Sequence, residues 1–350
     1  MKIHKSFSDI GMSKIVEISE KAKVIAPEFE KKTGKPFIYF QRGEVGYPTA
    51  PFLADAFREA IEKGFTKYPK PGGEDIFKDA VASELYYRND IRGLSQKNII
   101  AVYGGQEGLE LAFSLFRGKT CAGFTPCWSC MFDNILPYTE INFISVPLIQ
   151  GTANEGWIID FNTLEKTLSR SEVFYFNSPH NPTGKVFSKE EVDKIVSLCS
   201  KYGVTLISDE AYKELIYRSK DGETNTMSGL LHQSPLLWMN KYENIISVNT
   251  FSKSFAATGF RIGYIASPRE DLLEYFSRGN YTETAGVSTP TQCAFAKAIN
   301  HKDREQWSRK FYEEMKSRSQ CLVDNLDSRF NVIAPEGAFY CFINILGKYA

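Results

Sequence analysis

The chain has 350 residues and 43% hydrophobic content, enough for a large core and two domains of an ordinary globular protein. Its 42 basic and 42 acidic residues cancel, so no global field favours nucleic acid or an anionic membrane, and neither is expected as a partner. The opening Met1-Lys2-Ile3-His4 leads into charged sequence without the apolar core of a signal peptide, and no later run approaches the roughly 18 apolar residues of a membrane helix; a cytoplasmic location is the expectation.

Residues 11–33 are charged and amphipathic and read as a helix, and Lys35 to Phe40 as a short extended run. A loop rich in turn residues, Arg42-Gly43-Glu44-Val45-Gly46-Tyr47-Pro48-Thr49-Ala50-Pro51, precedes a helix that stops at Gly64. Tyr68-Pro69-Lys70-Pro71-Gly72-Gly73 is a second loop, before a helix from Glu74 to Arg88. From Ile99 the pattern becomes strand, turn and helix in succession. Strands are expected at Ile99–Tyr103, Thr120–Phe124, Ile141–Leu148, Val173–Phe176, Val204–Ser208, Asn244–Val248 and Ile262–Ala266. Helices are expected at Leu109–Phe116, at Phe161–Leu168 and up to Tyr202, the last capped by Ser188 with Glu191 at the capping-box position. Gly151 to Gly156 reads as a polar loop and residues 218–235 as a polar surface excursion. Helices begin after Pro268 and at Pro290, followed by a long charged helix to about Asp327. Its length and polarity predict a smaller domain, joined by the N-terminal segment.

Seven cysteines, an odd number in apolar surroundings, suit reduced and buried thiols. Cys127-Trp128-Ser129-Cys130 has the C-x-x-C form of redox and zinc sites. No second pair completes a zinc set, and the motif lies well inside the α/β pattern instead of opening a small redox domain. Ordinary thiols and no metal are expected.

Chemistry-bearing residues gather at the strand ends. Lys253, in Thr250-Phe251-Ser252-Lys253, sits just past a strand's carboxyl end, where open α/β sheets place reactive groups, and Arg261 follows eight residues later. Gly104-Gly105-Gln106-Glu107-Gly108 offers backbone amides and a helix start to an anion. In Asn177-Ser178-Pro179-His180-Asn181-Pro182-Thr183-Gly184 the prolines and glycine fix a loop that aims the Asn181 amide inward. Asp209-Glu210-Ala211-Tyr212 ends the next strand, and Pro335-Glu336-Gly337-Ala338-Phe339-Tyr340 lies near the end of the sequence. In this order, from about Gly43 to Tyr340, the chain resembles the class I/II aminotransferases, fold-type I enzymes that use pyridoxal 5'-phosphate (PLP). Two departures are visible: Thr250 where Ser or Gly is usual, and Val45-Gly46 within the loop around Gly43.

The resemblance implies an α/β fold: a large PLP-binding domain (49–280) with a mostly parallel seven-stranded sheet sandwiched by helices, plus a smaller α+β domain. The smaller domain would combine residues 1–48 with an incomplete C-terminal part, 281–350. It implies that Lys253 forms a Schiff base with PLP, that Asp209 faces the pyridine nitrogen, and that Asn181 and Tyr212 face the ring's O3' oxygen. Trp128 would stack on the ring, with a core aromatic as the plainer alternative. Thr250, Ser252, Arg261 and the amides at Gly105 and Gln106 would hold the phosphate, joined by Tyr68 across a homodimer interface, where an ordinary loop tyrosine is the alternative. Gly43 would let backbone approach the substrate, and Val332 to Tyr340 would form the family's Pro-x-Gly-x-Phe-Tyr strand.

The family also places an arginine near the C-terminus to clamp the substrate's α-carboxylate, and this sequence stops at Ala350, before that point. Either it is truncated, or Arg42 or Asn181 holds the carboxylate, or ordinary transamination is lost. The expected reaction moves an amino group from an amino acid to a 2-oxo acid by ping-pong kinetics. A lyase on the same scaffold (a C–S β-lyase or a cyclising enzyme) and a PLP-binding protein without turnover are the alternatives. The sequence does not identify the amino donor.

Overall fold

The computed structural model describes residues 4–41, 43–219, 221, 232–327 and 329–345. Eight strands form one sheet: β1 Ile99–Val102, β2 Thr120–Thr125, β3 Asn142–Gln150, β4 Trp157–Ile159, β5 Val173–Asn177, β6 Thr205–Asp209, β7 Ile245–Thr250 and β8 Gly263–Ala266. Their spatial order is β1-β8-β7-β6-β5-β2-β3-β4. Pairing is parallel from β7 through β6, β5 and β2 to β3, and antiparallel where β8 meets β1 and β7 and where β4 meets β3. The seven strands legible in the sequence are all present. The eighth, β4, is three residues long and extends the edge beyond the Gly151–Gly156 loop.

The central strands read as continuous apolar runs because both of their faces are covered. Along β5, Phe174 and Phe176 enter one core while Val173 and Tyr175 enter the other; along β7, Ile245 and then Ile246 and Val248 divide in the same way. The helix Gly104–Ser114 covers one face, and its Gly108 lies over the sheet so closely that a Cβ would come within 2.7 Å of Val248. This corrects the expected start of that helix at Leu109. The glycines belong to its first turns, where helix and strand must approach, as well as to the turn itself. On the other face, Thr289–Ile299 packs against the helices Pro51–Glu62 and Asp75–Asn89.

The capping box at Ser188 and Glu191 forms as expected, ahead of the helix Lys189–Tyr202. Of the excursion at 218–235, residues 220 and 222–231 lie outside the described residues. His232, Gln233 and Ser234 are buried, because the buried Glu210 carboxylate draws polar partners: Ser234 Oγ and Ser247 Oγ each donate to it at 2.8 Å. The segment ending in Tyr340 is not a continuous strand. β9 Asn331–Val332 and β10 Ile343–Asn344 pair with one another, and between them only Gly337 bridges, to Ile216. No cysteine among the described residues is bonded to another; Cys121 and Cys199 are buried as expected, whereas Cys321 is exposed.

Topology positions the functional end. β5 and β6 pair Asn177 with Asp209, so both reach the same sheet edge together. β8 runs opposite to its neighbours, with Gly263 opposite both Val102 and Thr250. Its entry, carrying Arg261, therefore lies between the ends of β1 and β7, beside both the helix start at Gly104 and the Lys253 turn.

Candidate active site

Lys253 lies in the one-turn helix Phe251–Ser254, which begins where β7 ends. Thr250 caps that turn, its Oγ1 accepting the Ser252 N–H at 3.2 Å and donating to Ser252 Oγ at 2.9 Å. The Lys253 ammonium donates to the Gly43 carbonyl at 2.5 Å and stands 5.6 Å from the centre of the Phe339 ring. Burial, and then the Arg261 cation, lower its pKa to about 8, partly offset by Glu44 and Asp209. An amine poised there is available as nucleophile and base near neutral pH.

Asp209 is the last residue of β6. Burial pushes its carboxyl up to about 6, even though Tyr175 Oη donates to Oδ2 at 2.9 Å and the Ala211 amide donates to Oδ1 at 3.2 Å. Asn177 ties the neighbouring loop to this strand end: its Nδ2 donates to the Asp209 carbonyl at 3.0 Å, and its Oδ1 accepts the Asn181 N–H at 2.7 Å. That bond aims the Asn181 side chain at Tyr212, with Nδ2 donating to Tyr212 Oη at 3.4 Å. Tyr212 Oη lies 2.8 Å from Tyr340 Oη.

The third part of the site is cationic. Arg261, at φ 51°, donates from Nη1 to the Thr258 carbonyl at 3.1 Å and from Nη2 to the Tyr103 carbonyl at 3.4 Å. Among the described residues no carboxylate pairs with it. The Gly104–Ser114 helix start has no side-chain cap, so the amides of its first turn are open to an anion. Gly104, at φ 79°, allows the guanidinium to lie against this helix start; a Cβ there would stand 3.1 Å from Arg261 Nη2.

These groups line one open cleft of about 1210 Å³. Gly43, Gly105, Gln106, Trp128, Asn181, Asp209, Tyr212, Thr250, Ser252, Lys253 and Arg261, all singled out by sequence, line its wall. Tyr68 does not: it is 90% exposed and outside its own chain's cleft. Arg42 lies outside the described residues. Trp128 is half-buried and packs against the core on its face of the sheet. Beside it, burial raises the Cys127 thiol to about 12 and also raises Cys130, so neither is a ready thiolate. Among the described residues no three His, Cys, Asp or Glu side chains converge as metal ligands would.

Sequence reasoning missed Tyr175, Asn177 as a structural tie, and Tyr340 as a wall of the cleft. A polar-tipped aromatic inside the otherwise apolar run Val173–Phe176 was the available signal for the first.

No helix among the described residues is long and apolar enough to cross a membrane. The chain is 28% identical over 341 residues to a probable aspartate/prephenate aminotransferase of Aquifex aeolicus, covering 96% of this chain and 81% of that one. To an aspartate aminotransferase of Thermotoga maritima it is 28% identical over 352 residues, covering 99% and 85%. The crystal structure of the aspartate aminotransferase from Rhizobium meliloti superposes with a TM-score of 0.86 at 25% identity, over 99% of this chain and 83% of that one. That of Thermus thermophilus aspartate aminotransferase with maleate gives 0.85 at 23%, over 98% and 85%, a likeness of fold. The family model for aminotransferase class I and II matches residues 35–348, nearly the whole chain, and with the cleft just described the chain belongs to that family.

Proposed function

We propose that this aminotransferase works with PLP held on Lys253, and that it moves the amino group of an amino acid to a 2-oxo acid in two half-reactions of ping-pong order. One observation carries the reading. An amine with a pKa of about 8, a buried carboxylate and a guanidinium set against an uncapped helix start all face the same cleft.

This donor set suits the cofactor's chemistry. Asp209, unfavourably buried as an anion, would be relieved by a protonated ring nitrogen and would in turn hold that proton. Asn181 and Tyr212 offer hydrogen bonds to a phenolic oxygen, and Trp128 offers a flat face. Arg261, the hydroxyls of Thr250 and Ser252 and the amides of Gly105 and Gln106 supply the charge and donors a phosphate needs. When bound, PLP supplies an electron sink for the carbanion formed at the substrate's Cα and carries the amino group between half-reactions. Lys253 then takes up and returns a proton at Nζ, a role matched to its lowered pKa. Gly43 orients that amine through its carbonyl.

Tyr68 would complete the phosphate site of a second copy in a homodimer, and exposed Val24, Phe40 and Tyr87 are surface of the kind a second copy covers. The same reading divides the chain into a large and a smaller lobe. Val45 and Tyr47 pack with Phe311, Tyr312 and Met315, which supports joining the N-terminal segment to the C-terminal helix. Because Thr289–Ile299 belongs to the main core, the boundary is better drawn after Ile299 than near residue 280.

The test is the visible absorption of the purified chain with PLP, before and after a panel of amino acids, beside a Lys253→Ala control. A band that needs Lys253 and is bleached by particular donors supports the reading and names the donor class. A band no donor changes removes the transamination, and no band removes the cofactor.

A further inference from the structure

A phenol hydroxyl has one proton to give and two lone pairs to receive with. Tyr212 Oη already receives the Asn181 Nδ2 proton. Its second neighbour is Tyr340 Oη at 2.8 Å, and either oxygen can be the donor in that bond. If Tyr212 gives its proton to Tyr340, no Tyr212 proton remains to be donated to a ligand in the cleft. If Tyr340 gives its proton to Tyr212, the Tyr212 proton is free to point into the cleft while both lone pairs are occupied. Tyr340 makes no other side-chain hydrogen bond among the described residues.

Tyr340 is held in place independently of this bond. The amides of Glu336 and Gly337 both donate to the Gly184 carbonyl at 2.9 Å, and the Ala338 amide donates to the Leu215 carbonyl at 2.8 Å. Glycine is required at 184 and 337 for this contact, since a Cβ would stand 2.5 Å from Pro335 in the first case and 2.6 Å from the Leu215 carbonyl in the second. The loop that aims Asn181 and the turn that follows Tyr212 are thus clamped to the segment carrying Tyr340. On its other side Tyr340 Oη meets Gly43, where a Cβ would come within 2.7 Å, and Gly43 is the residue whose carbonyl holds Lys253.

We propose that Tyr340 is a positioning residue for the aminotransferase reaction: it donates to Tyr212 so that the Tyr212 proton is directed to an anionic oxygen of the cofactor in the cleft. The inference rests on the PLP reading above. Burial raises Tyr340 to about 12 and holds Tyr212 well above its ordinary range, so both phenols keep their protons at neutral pH and the direction of the bond matters. Asp209 and Cys130 also face Tyr340, and each favours its neutral form. A chain of two donors polarises more strongly than one, so losing the outer hydroxyl weakens the inner bond.

The experiment compares wild type, Tyr340→Phe, Tyr212→Phe and the double variant. It follows the pH midpoint of the Lys253-dependent visible band together with kcat and KM. Tyr340→Phe keeps the ring and its packing; equal thermal midpoints confirm that it is folded. A weaker bond to the anionic oxygen makes the neighbouring Lys253 nitrogen hold its proton more tightly. The expected result is a band midpoint raised by about half a pH unit and kcat lowered about tenfold, the size of one neutral hydrogen bond, with KM nearly unchanged. In the Tyr212→Phe background the second substitution adds nothing. An unmoved midpoint and kcat in Tyr340→Phe overturn the proposal, as does an undiminished effect when Tyr212 is already Phe. A wild type without the band overturns the cofactor reading and this inference together, whereas a wild-type band with an unmoved Tyr340→Phe overturns this inference alone.

Discussion

Tyr212 and the two residues after it belong to two charge assemblies built on opposite principles. In the cleft, Asp209 is pushed up to about 6 and Lys253 down to about 8, both chiefly by burial, so each is held away from the charge state it prefers in water. Lys213 and Glu214 turn instead toward Arg304, at the start of the helix Arg304–Asn325. Arg304 is fully buried, yet its guanidinium donates to Glu84 at 3.0 Å, to Glu214 at 3.0 Å and to the Ile299 carbonyl at 3.0 Å, and it lies 4.8 Å from the Phe255 ring centre. Lys213 adds a bond of 2.7 Å to Tyr264 Oη and stands 3.7 Å from Glu84. Burial alone would raise Glu84; Arg304 and Lys213 outweigh it and keep the carboxyl below its usual range. One assembly satisfies its charges and joins two helices. The other compensates its charges only in part, the pattern expected of groups kept for chemistry.

Removing a charge should therefore have opposite effects on stability in the two places. The largest expected effect is on turnover. Lys253→Met should lower kcat by about 10⁴-fold or more, the cost of losing a nucleophile and base together, measured by steady-state transamination. Without cofactor its folded state should be no less stable at pH 7 than the wild type's. A lysine with a lowered native pKa penalises the native state below pH 8, and the penalty is relieved between pH 8 and 10.5, so any advantage of the variant should shrink across that window.

Next comes Arg304→Met, expected to destabilise by about 3–5 kcal/mol because it leaves buried Glu84 with only the more distant Lys213 and takes the hydrogen-bond partner from Glu214. Urea unfolding checks this, and adding Glu84→Gln should recover part of the loss. A neutral result for Arg304→Met would erase the contrast between the assemblies.

In the cofactor-free protein Asp209→Asn should move the other way, gaining on the order of 3 kcal/mol at pH 7 while activity with cofactor is lost, since a carboxyl that holds its proton roughly a hundredfold more tightly when folded penalises the folded anion by about that much. The raised native pKa means that the wild-type carboxyl contributes fully below about pH 4 and that its contribution is lost as pH rises through 6. Thermal melts of both proteins should accordingly coincide near pH 3.5 and separate by pH 7. The smallest effect serves as a control outside both assemblies: Ser188→Ala should cost about 1 kcal/mol through its helix cap, with kcat unchanged.

The contrast also explains what could be read from the chain. Lys253, Asp209, Asn181 and Arg261 stand at strand ends in local patterns of turn residues, and such patterns are visible in one dimension. The seven principal strands were legible for the same reason, as apolar runs bounded by Gly, Pro and Asn. What escaped depends on contacts between distant residues: Tyr175 with Asp209, 34 positions apart; Tyr212 with Tyr340, 128 apart; Arg304 with Glu84, 220 apart. No periodicity marks these. A lone arginine at a helix start reads as a solvated surface group until topology buries it. The strand β4 was missed because three residues carry too little alternation to register.

The separation of Glu84 from Arg304 bears on the order of assembly. Glu84 leaves the ribosome 220 residues before the guanidinium that neutralises it, and most of the sheet emerges in between. Until Arg304 arrives, sealing the helix Asp75–Asn89 against its neighbours would bury Glu84 with only the more distant Lys213 ammonium to offset it, so that face of the nascent chain is expected to close late. The ion network is then expected to complete the packing step only once the helix Arg304–Asn325 has been made.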